Sequence, residues 1–358
     1  LKYMDSVPDS AVCNEAVKLA VKKGFGTLRG FVNGVLRNVA RGLDQVEYPA
    51  EGIERLSVVY SMPEWILKLW KKTYDLDVIE SMLQAFQEET PVTIRCNLAK
   101  TTPENLKESL QKEGVTVTPH PYLSYAFWIQ DYDHLSELES FQKGEFYVQD
   151  ISSMLVGELA DPKKGDRVID VCAAPGGKAL HVAEKLRGTG SVEARDLSLY
   201  KVGLITENIE RSGLTNIHAV QKDATVCDAD VKDAADLVIA DLPCSGLGVL
   251  AKKTDLKYKA TEQGTKELAG LQREILKNAA SYVRPGGTLI YSTCTINPAE
   301  NIENVHWFLK EFPEFVLDPI ADRLCSTLQN SVEEAGCLQL LPGIHKSDGF
   351  FIARFGKK

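Results

Sequence analysis

The chain has 358 residues, enough for about two or three domains, and its 44% hydrophobic and 25% charged residues are the balance of a globular protein, not a disordered one. Eight cysteines are too few for a disulfide scaffold, none stands at CxxC spacing, and the six histidines do not cluster with them, so no metal site is expected and the free thiols point to a reducing compartment, the cytoplasm. No apolar run reaches the ~18–20 residues of a membrane span, and a net charge of −9 excludes a polyanion binder that uses its whole surface.

The chain opens on Leu1 with no charged-then-apolar leader, which reads as a truncated start. Residues 11–41 read as helices. Between 28 and 41 the apolar positions Leu28, Phe31, Val32, Val35, Leu36 and Val39 form a helical stripe, with Arg29, Asn33, Arg37 and Arg41 on the opposite face. Lys18, Lys22, Lys23, Arg29, Arg37 and Arg41 follow one another with no acid between them, a block suited to phosphates or simply a solvated helix face. Pro49 and Gly52 punctuate a linker, and a helix is expected over 63–72 with Pro63 at its first position. Short β-branched or aromatic runs at 92–96, 115–118, 126–129 and 145–149, with a helix over 103–113, predict a small α+β module of RRM-like shape.

From Gly165 onward strands and helices alternate. Strands are expected at 167–172, 191–196, 217–221, 236–241 and 287–292, and helices from 178, over 199–212, 265–283 and 300–311. The runs at 167, 236 and 287 are almost continuously apolar, as parallel strands covered on both faces are. The fold class is therefore α/β, a doubly wound Rossmann-like sheet whose ligands lie beyond the carboxyl ends of its strands. Two further strands are expected at 337–341 and 350–355.

The first of these strands ends in Asp170-Val171-Cys172-Ala173-Ala174-Pro175-Gly176-Gly177-Lys178. Small residues and paired glycines let backbone approach a ligand at a helix amino terminus. Ala179 follows the lysine where a phosphate-binding P-loop needs Ser or Thr, and no GxGxxG is present. Asp196 ends the second strand, where an acid meets ribose hydroxyls; Asp223 follows the third and Asp241 ends the fourth. Such acids at successive strand ends suit a cationic nucleoside better than a pyrophosphate, and S-adenosylmethionine carries both a sulfonium and an ammonium. Singly, each aspartate also reads as a helix cap.

The fourth strand runs into Asp241-Leu242-Pro243-Cys244-Ser245-Gly246 and the fifth into Tyr291-Ser292-Thr293-Cys294-Thr295. One buried cysteine is usually an inert small hydrophobe; two at equivalent strand ends beside a nucleoside site are not. Carbon 5 of cytosine is a poor nucleophile until a thiolate adds to carbon 6 and makes it enamine-like. Asp241 stands where a ring nitrogen needs a partner, and Lys178 is a candidate for lowering a thiol pKa.

These motifs resemble the NOL1/NOP2/Sun family of RNA cytosine-5 methyltransferases. DVCAAPGGK, DLPCSG and YSTCT match that family's cofactor loop and its two cysteine motifs in order and spacing, Gln149–Ser153 and Asp348–Phe351 look like its flanking motifs, and Arg95-Cys96-Asn97 resembles its R-x-N element. Phe31–Arg37 resembles the final helix of the NusB-like domain in the branch that modifies bacterial small-subunit rRNA. The resemblance implies Cys294 as nucleophile with Cys244 assisting proton removal or elimination. It implies that S-adenosylmethionine contacts Cys172, Ala173, Ala174, Pro175, Gly176, Gly177, Lys178, Asp196, Asp223 and Asp241. The family often has a basic pair and then Pro-Asp after the first cysteine motif; here Thr254 replaces the proline in Ala251-Lys252-Lys253-Thr254-Asp255.

The expected organisation is a truncated all-α NusB-like segment over 1–48, linker helices plus the α+β RNA-binding module over 49–145, and the methyltransferase domain over 146–358. The expected substrate is 16S rRNA, with transfer RNA as the alternative, and the expected state is a monomer that needs neither membrane nor metal. Two other readings compete. A DNA cytosine-5 methyltransferase attacks from its Pro-Cys motif, which would make Cys244 the nucleophile. A non-enzymatic RNA-binding module would carry a dead sheet domain. An N-methylating enzyme is disfavoured, because its Asn/Asp-Pro-Pro-Tyr motif is replaced by Asp-Leu-Pro-Cys.

Overall fold

The computed structural model describes residues 1–4 and 6–358. The chain divides into two compact units, Leu1–Ser61 and Met62–Lys358. None of the described helices is long and apolar enough to cross a membrane.

The first unit is helical: α1 (Asp9–Lys22), α2 (Arg29–Gly42) and α3 (Gly52–Val59). In α2 the expected polar face is real, since Arg37 Nε donates to Asn33 Oδ1 at 3.1 Å and Arg41 Nε to the Arg37 carbonyl at 3.3 Å. The opposite stripe of Leu28, Phe31, Val35 and Val39 is exposed.

The second unit begins with α4 (Glu64–Trp70) and α5 (Leu76–Ala85). Pro63 does not open α4 as expected. Its ψ of 131° is extended, so it stands just outside the helix as the residue before it. Next come β1 (Val92–Cys96), α6 (Pro103–Lys112), β2 (Thr116–Pro119), β3 (Ala126–Gln130), the single-turn α7 (Glu139–Gln142) and β4 (Phe146–Val148). The strands form an antiparallel sheet in the order β2-β3-β1-β4, and Leu106 and Leu110 of α6 pack on Ile94, Phe127 and Phe146. Thr102 caps α6 through the Asn105 amide, with Pro103 at the first helical position, where its missing N–H costs nothing.

The larger sheet follows. Its elements are α8 (Ile151–Ala160), β5 (Arg167–Asp170), α9 (Gly177–Lys185), β6 (Ser191–Asp196), α10 (Leu199–Ser212), β7 (Ile217–Gln221), β8 (Ala235–Asp241), the short α11 (Leu256–Lys259), α12 (Glu262–Tyr282), β9 (Val283–Thr293), α13 (Ile302–Glu311), β10 (Phe315–Leu317), α14 (Ser326–Gln329), β11 (Val332–Glu334), β12 (Cys337–Leu340) and β13 (Phe350–Lys357). The order is β11-β12-β13-β9-β8-β5-β6-β7, with β10 on β13. Neighbours from β9 to β7 run parallel, and β13 adds antiparallel to β9. Successive side chains of a strand face opposite sides. Val168, Leu237, Ile239, Ile290 and Ile352 therefore pack with α8 and α9, while Ile169, Val238, Leu289, Tyr291 and Phe351 pack with α12 and α13. Helix α12 starts three residues earlier than expected, because Thr261 caps it by accepting from the Gly264 amide at 3.0 Å.

Candidate active site

Strand β5 has β6 and then β7 on one side, and β8 and then β9 on the other. The chain thus winds in opposite directions from this point, and a crevice opens at the carboxyl ends of β5 and β8. Beyond β5 the segment 171–176 turns sharply into α9. Gly176 makes that turn at φ 109°, a conformation that a side chain would strain. A cavity of about 1,030 Å³ stands here, walled by Asp170, Cys172–Pro175, Gly177, Lys178 and Asp241 together with Gln149, Asp150 and Ser153.

The acids around it are not equivalent. Asp170 is wholly buried; burial, and then the nearby Asp241 carboxylate, push its pKa up to about 7. Its Oδ2 has no hydrogen-bond partner. Asp196 lies behind the turn, accepting from the Ala174 amide at 3.2 Å and the Leu197 amide at 2.8 Å, with Lys201 Nζ 3.4 Å away. Asp223 is exposed outside the cavity wall, where it accepts from the Thr225 amide and hydroxyl, and these bonds hold its carboxyl below the usual range. An electronegative crevice with an orphaned carboxylate oxygen and a close-packed small-residue turn fits a ligand carrying positive charge on a nucleoside frame.

Cys244 and Cys294 come from the loops after β8 and β9, and their sulfurs are 3.2 Å apart. Two bonds tie these loops together, Ser245 Oγ to Thr295 Oγ1 at 2.8 Å and the Gly248 amide to the Cys294 carbonyl at 3.1 Å, and the Gly349 amide, from the segment before β13, adds a third to the Gly248 carbonyl at 2.8 Å. The two thiols are driven apart electrically. Accepting from Cys244 lowers the Cys294 pKa, and the charges of Lys178 and Lys253 act in the same sense against burial and Asp241. Donating to Cys294 raises the Cys244 pKa, as do burial and the Glu300 carboxylate. Lys178 is itself fixed by Asp241 at 2.9 Å and donates to Ser153 Oγ at 3.1 Å, and Ser292 Oγ donates to the other Asp241 oxygen at 2.7 Å.

Residues 158–356 match the profile of the family described as 16S rRNA methyltransferase RsmB/F. The chain belongs to the RsmB/F family. Residues 62–132 match its ferredoxin-like domain and residues 1–41 the NusB family. A probable ribosomal RNA small subunit methyltransferase B of Bacillus subtilis is 37% identical over 361 residues, covering 100% of this chain and 80% of that protein. Its counterpart in Synechocystis is 34% identical over 363 residues with the same coverage. Among solved structures, NSun6 from Pyrococcus horikoshii with SFG superposes with a TM-score of 0.73 at 25% identity, covering 84% of this chain and 99% of that one. S-adenosylmethionine is the cofactor of this RsmB/F chain.

The RsmB/F crevice contains groups that no sequence pattern singled out. Lys252 Nζ bridges Asp150 at 2.9 Å and Asp348 at 2.6 Å, joining three distant segments at the cavity wall. Burial, and then Asp150, push the Asp348 pKa up to about 7. Asp150 also caps α8 through the Ser152 amide at 3.0 Å. The flanking motifs and the basic pair were visible as residues, but not their convergence. Gln272 and Glu300 carry no such signal, and both are buried behind the site. The R-x-N element lies elsewhere: Arg95 pairs with Glu184 of α9 at 2.9 Å, and Asn97 donates to the Ser212 carbonyl at the end of α10, so the element clasps the ferredoxin-like module to the sheet domain.

Proposed function

We propose that this RsmB/F chain methylates carbon 5 of a cytosine in 16S rRNA through a covalent adduct between Cys294 and carbon 6. The observation that carries the reading is the 3.2 Å approach of two thiols beside the Lys178–Asp241 pair at the mouth of a nucleoside-sized crevice. Cys172 through Lys178, with Asp196 and Asp241, hold the cofactor; Asp223, exposed outside the cavity wall and bonded to its own turn, does not reach it.

Bound there, S-adenosylmethionine supplies an electrophilic methyl group. The Cys294 thiolate, favoured by Lys178 and Lys253, forms the S–C6 bond and moves ring electrons toward carbon 5. Asp241 accepts from the exocyclic amino group, and the Lys178 ammonium offers the ring nitrogen a donor, so the pair stabilises the adduct at its polar edge. After carbon 5 is methylated its proton passes to water in the open crevice, the C5–H electrons re-form the C5=C6 bond, the S–C6 bond breaks with its electrons returning to sulfur, and the aromatic ring and the Cys294 thiolate are restored. Cys244, held protonated beside Cys294, assists elimination by donating a hydrogen bond to the departing Cys294 sulfur. A cytosine inside folded RNA has to be extruded to present its face to the sulfur. The basic block Lys18–Arg41 offers phosphate contacts in the helical unit.

The experiment is methyl transfer to 16S rRNA whose cytosines carry tritium at carbon 5. Release of tritium in step with methylation supports the reading; methylation without release places the methyl on another atom. The same assay with transfer RNA separates the two substrate classes.

A further inference from the structure

Glu300 takes no part in the chemistry above, yet it is a carboxylate with 0% exposure behind both cysteine loops. Burying a carboxylate is costly unless every lone pair is met. Here Oε2 accepts from the Ser245 amide at 2.8 Å and from Gln272 Nε2 at 3.3 Å, and Oε1 accepts from Asn297 Nδ2 at 2.9 Å. All three donors are neutral, so no cation is paired with this carboxylate by these bonds. Ser245 is the neighbour of Cys244, while Glu300 itself lies six residues beyond Cys294 on the other loop. Gln272 reaches further, donating to the Pro243 carbonyl at 2.9 Å on the other flank of Cys244. Tyr291 closes the network, its hydroxyl lying 3.1 Å from Gln272 Oε1 and close to the Glu300 carbonyl, with one proton to give to either acceptor.

We propose that Glu300 is a positioning residue: it clamps the Cys244 loop from behind so that this sulfur faces Cys294 as the hydrogen-bond donor, and its charge assigns the two sulfurs their different roles. The proposal rests on the reading of Cys294 as nucleophile but adds a residue that touches no substrate.

The electrostatics run the same way. Cys244 has Glu300 behind it and Cys294 in front; Cys294 is faced by Lys178, Lys253 and Asp241. Beyond them, Tyr291 is kept neutral by burial, and Arg273 is engaged with Asn304 at 2.7 Å. Glu300 disfavours a thiolate on Cys244, whereas on the Cys294 side the Asp241 charge is opposed by two lysines, so the neighbouring sulfur is left to carry the thiolate.

The test is competitive labelling of the full chain by iodoacetamide at neutral pH, with peptide mapping of Cys244 and Cys294. Glu300→Gln keeps an acceptor for the Ser245 amide and removes the charge; Glu300→Asp keeps the charge and lengthens the bridge. The Cys294-to-Cys244 label ratio is expected to fall at least about threefold in Glu300→Gln, with Glu300→Asp intermediate, given tenfold per unit of pKa difference. A ratio equal to wild type in either folded variant overturns the proposal, since a purely structural role would not move it. Because labelling needs no RNA, it fails or succeeds independently of the methylation assay.

Discussion

The sulfurs of Cys244 and Cys294 stand 3.2 Å apart although fifty residues separate them in the chain. Parallel pairing of β8 with β9 sets Asp241 opposite Ser292, so both cysteine loops leave the sheet at one level. Hydrogen bonds between the loops then hold one thiol toward two lysines and the other toward Glu300. This asymmetry favours the thiolate on Cys294 over Cys244.

Lys178 links the cofactor cavity to the cysteine pair. Its ammonium is 2.9 Å from Asp241, and its side chain is 14% exposed. Replacing it by Met leaves Asp241 and Asp170 facing each other without a cation. Lys178→Met is expected to lose about 1–3 kcal/mol of stability at pH 8, as breaking a largely buried pair does. It also removes a charge that favours the Cys294 thiolate, so iodoacetamide should label Cys294 several-fold more slowly near neutral pH, by about as much as a fraction of a pKa unit implies. Urea denaturation and alkylation kinetics measure the two effects.

Asp170 makes stability depend on pH in the direction opposite to an ion-paired aspartate. Its folded pKa is about 7, against an ordinary value of 3.8. Between those values the folded protein holds a proton that the unfolded chain has lost. Stability therefore falls as pH rises from about 4 to 7, and is level above that. Asp170→Asn, which is neutral throughout, should flatten this slope and be more stable than wild type at pH 8 by about 2–4 kcal/mol. Thermal unfolding of both proteins across pH 5 to 8 checks the slope. The same ionisation favours a cationic ligand, so wild-type affinity for S-adenosylmethionine should rise through this range and the variant's should not.

Gly248 marks where the loop after Cys244 meets the segment around Asp348. A Cβ there would stand 1.9 Å from the Gly349 carbonyl oxygen and 2.9 Å from the Cys294 carbonyl oxygen. Neither contact is with a flexible side-chain end, so backbone has to move. Gly248→Ala is expected to cost about 1–3 kcal/mol and to displace Cys294. A drop in melting temperature together with a loss of cysteine labelling selectivity is the expected result; an unchanged selectivity would mean that the loops are not mechanically linked.

Much of this arrangement was legible in the sequence because it depends on local pattern. The strands near 167, 236 and 287 announced themselves as apolar runs, and their ends located Asp170–Lys178, Asp241, Cys244 and Cys294 at one edge of the sheet. Helix α8 has no amphipathic signature in the sequence, because eight of its ten residues are buried and the polar face that marks such a helix is missing. Asp223 sits where a strand-end acid was expected, but exposure and bonds to its own turn distinguish it from Asp170 and Asp241. Glu300 follows Asn297-Pro298-Ala299, which reads as an ordinary helix start; its burial arises from Ser245 and Gln272, whose approach depends on how β8 and α12 pack. Long-range convergence of that kind leaves no trace in spacing.

The central claim concerns which sulfur forms a bond to RNA. Incubating the chain with 16S rRNA and S-adenosylmethionine, then separating products on a denaturing gel, reads that bond directly. Cys244→Ala should accumulate a protein–RNA adduct and Cys294→Ala should form none; an adduct that survives in Cys294→Ala and vanishes in Cys244→Ala would contradict the account.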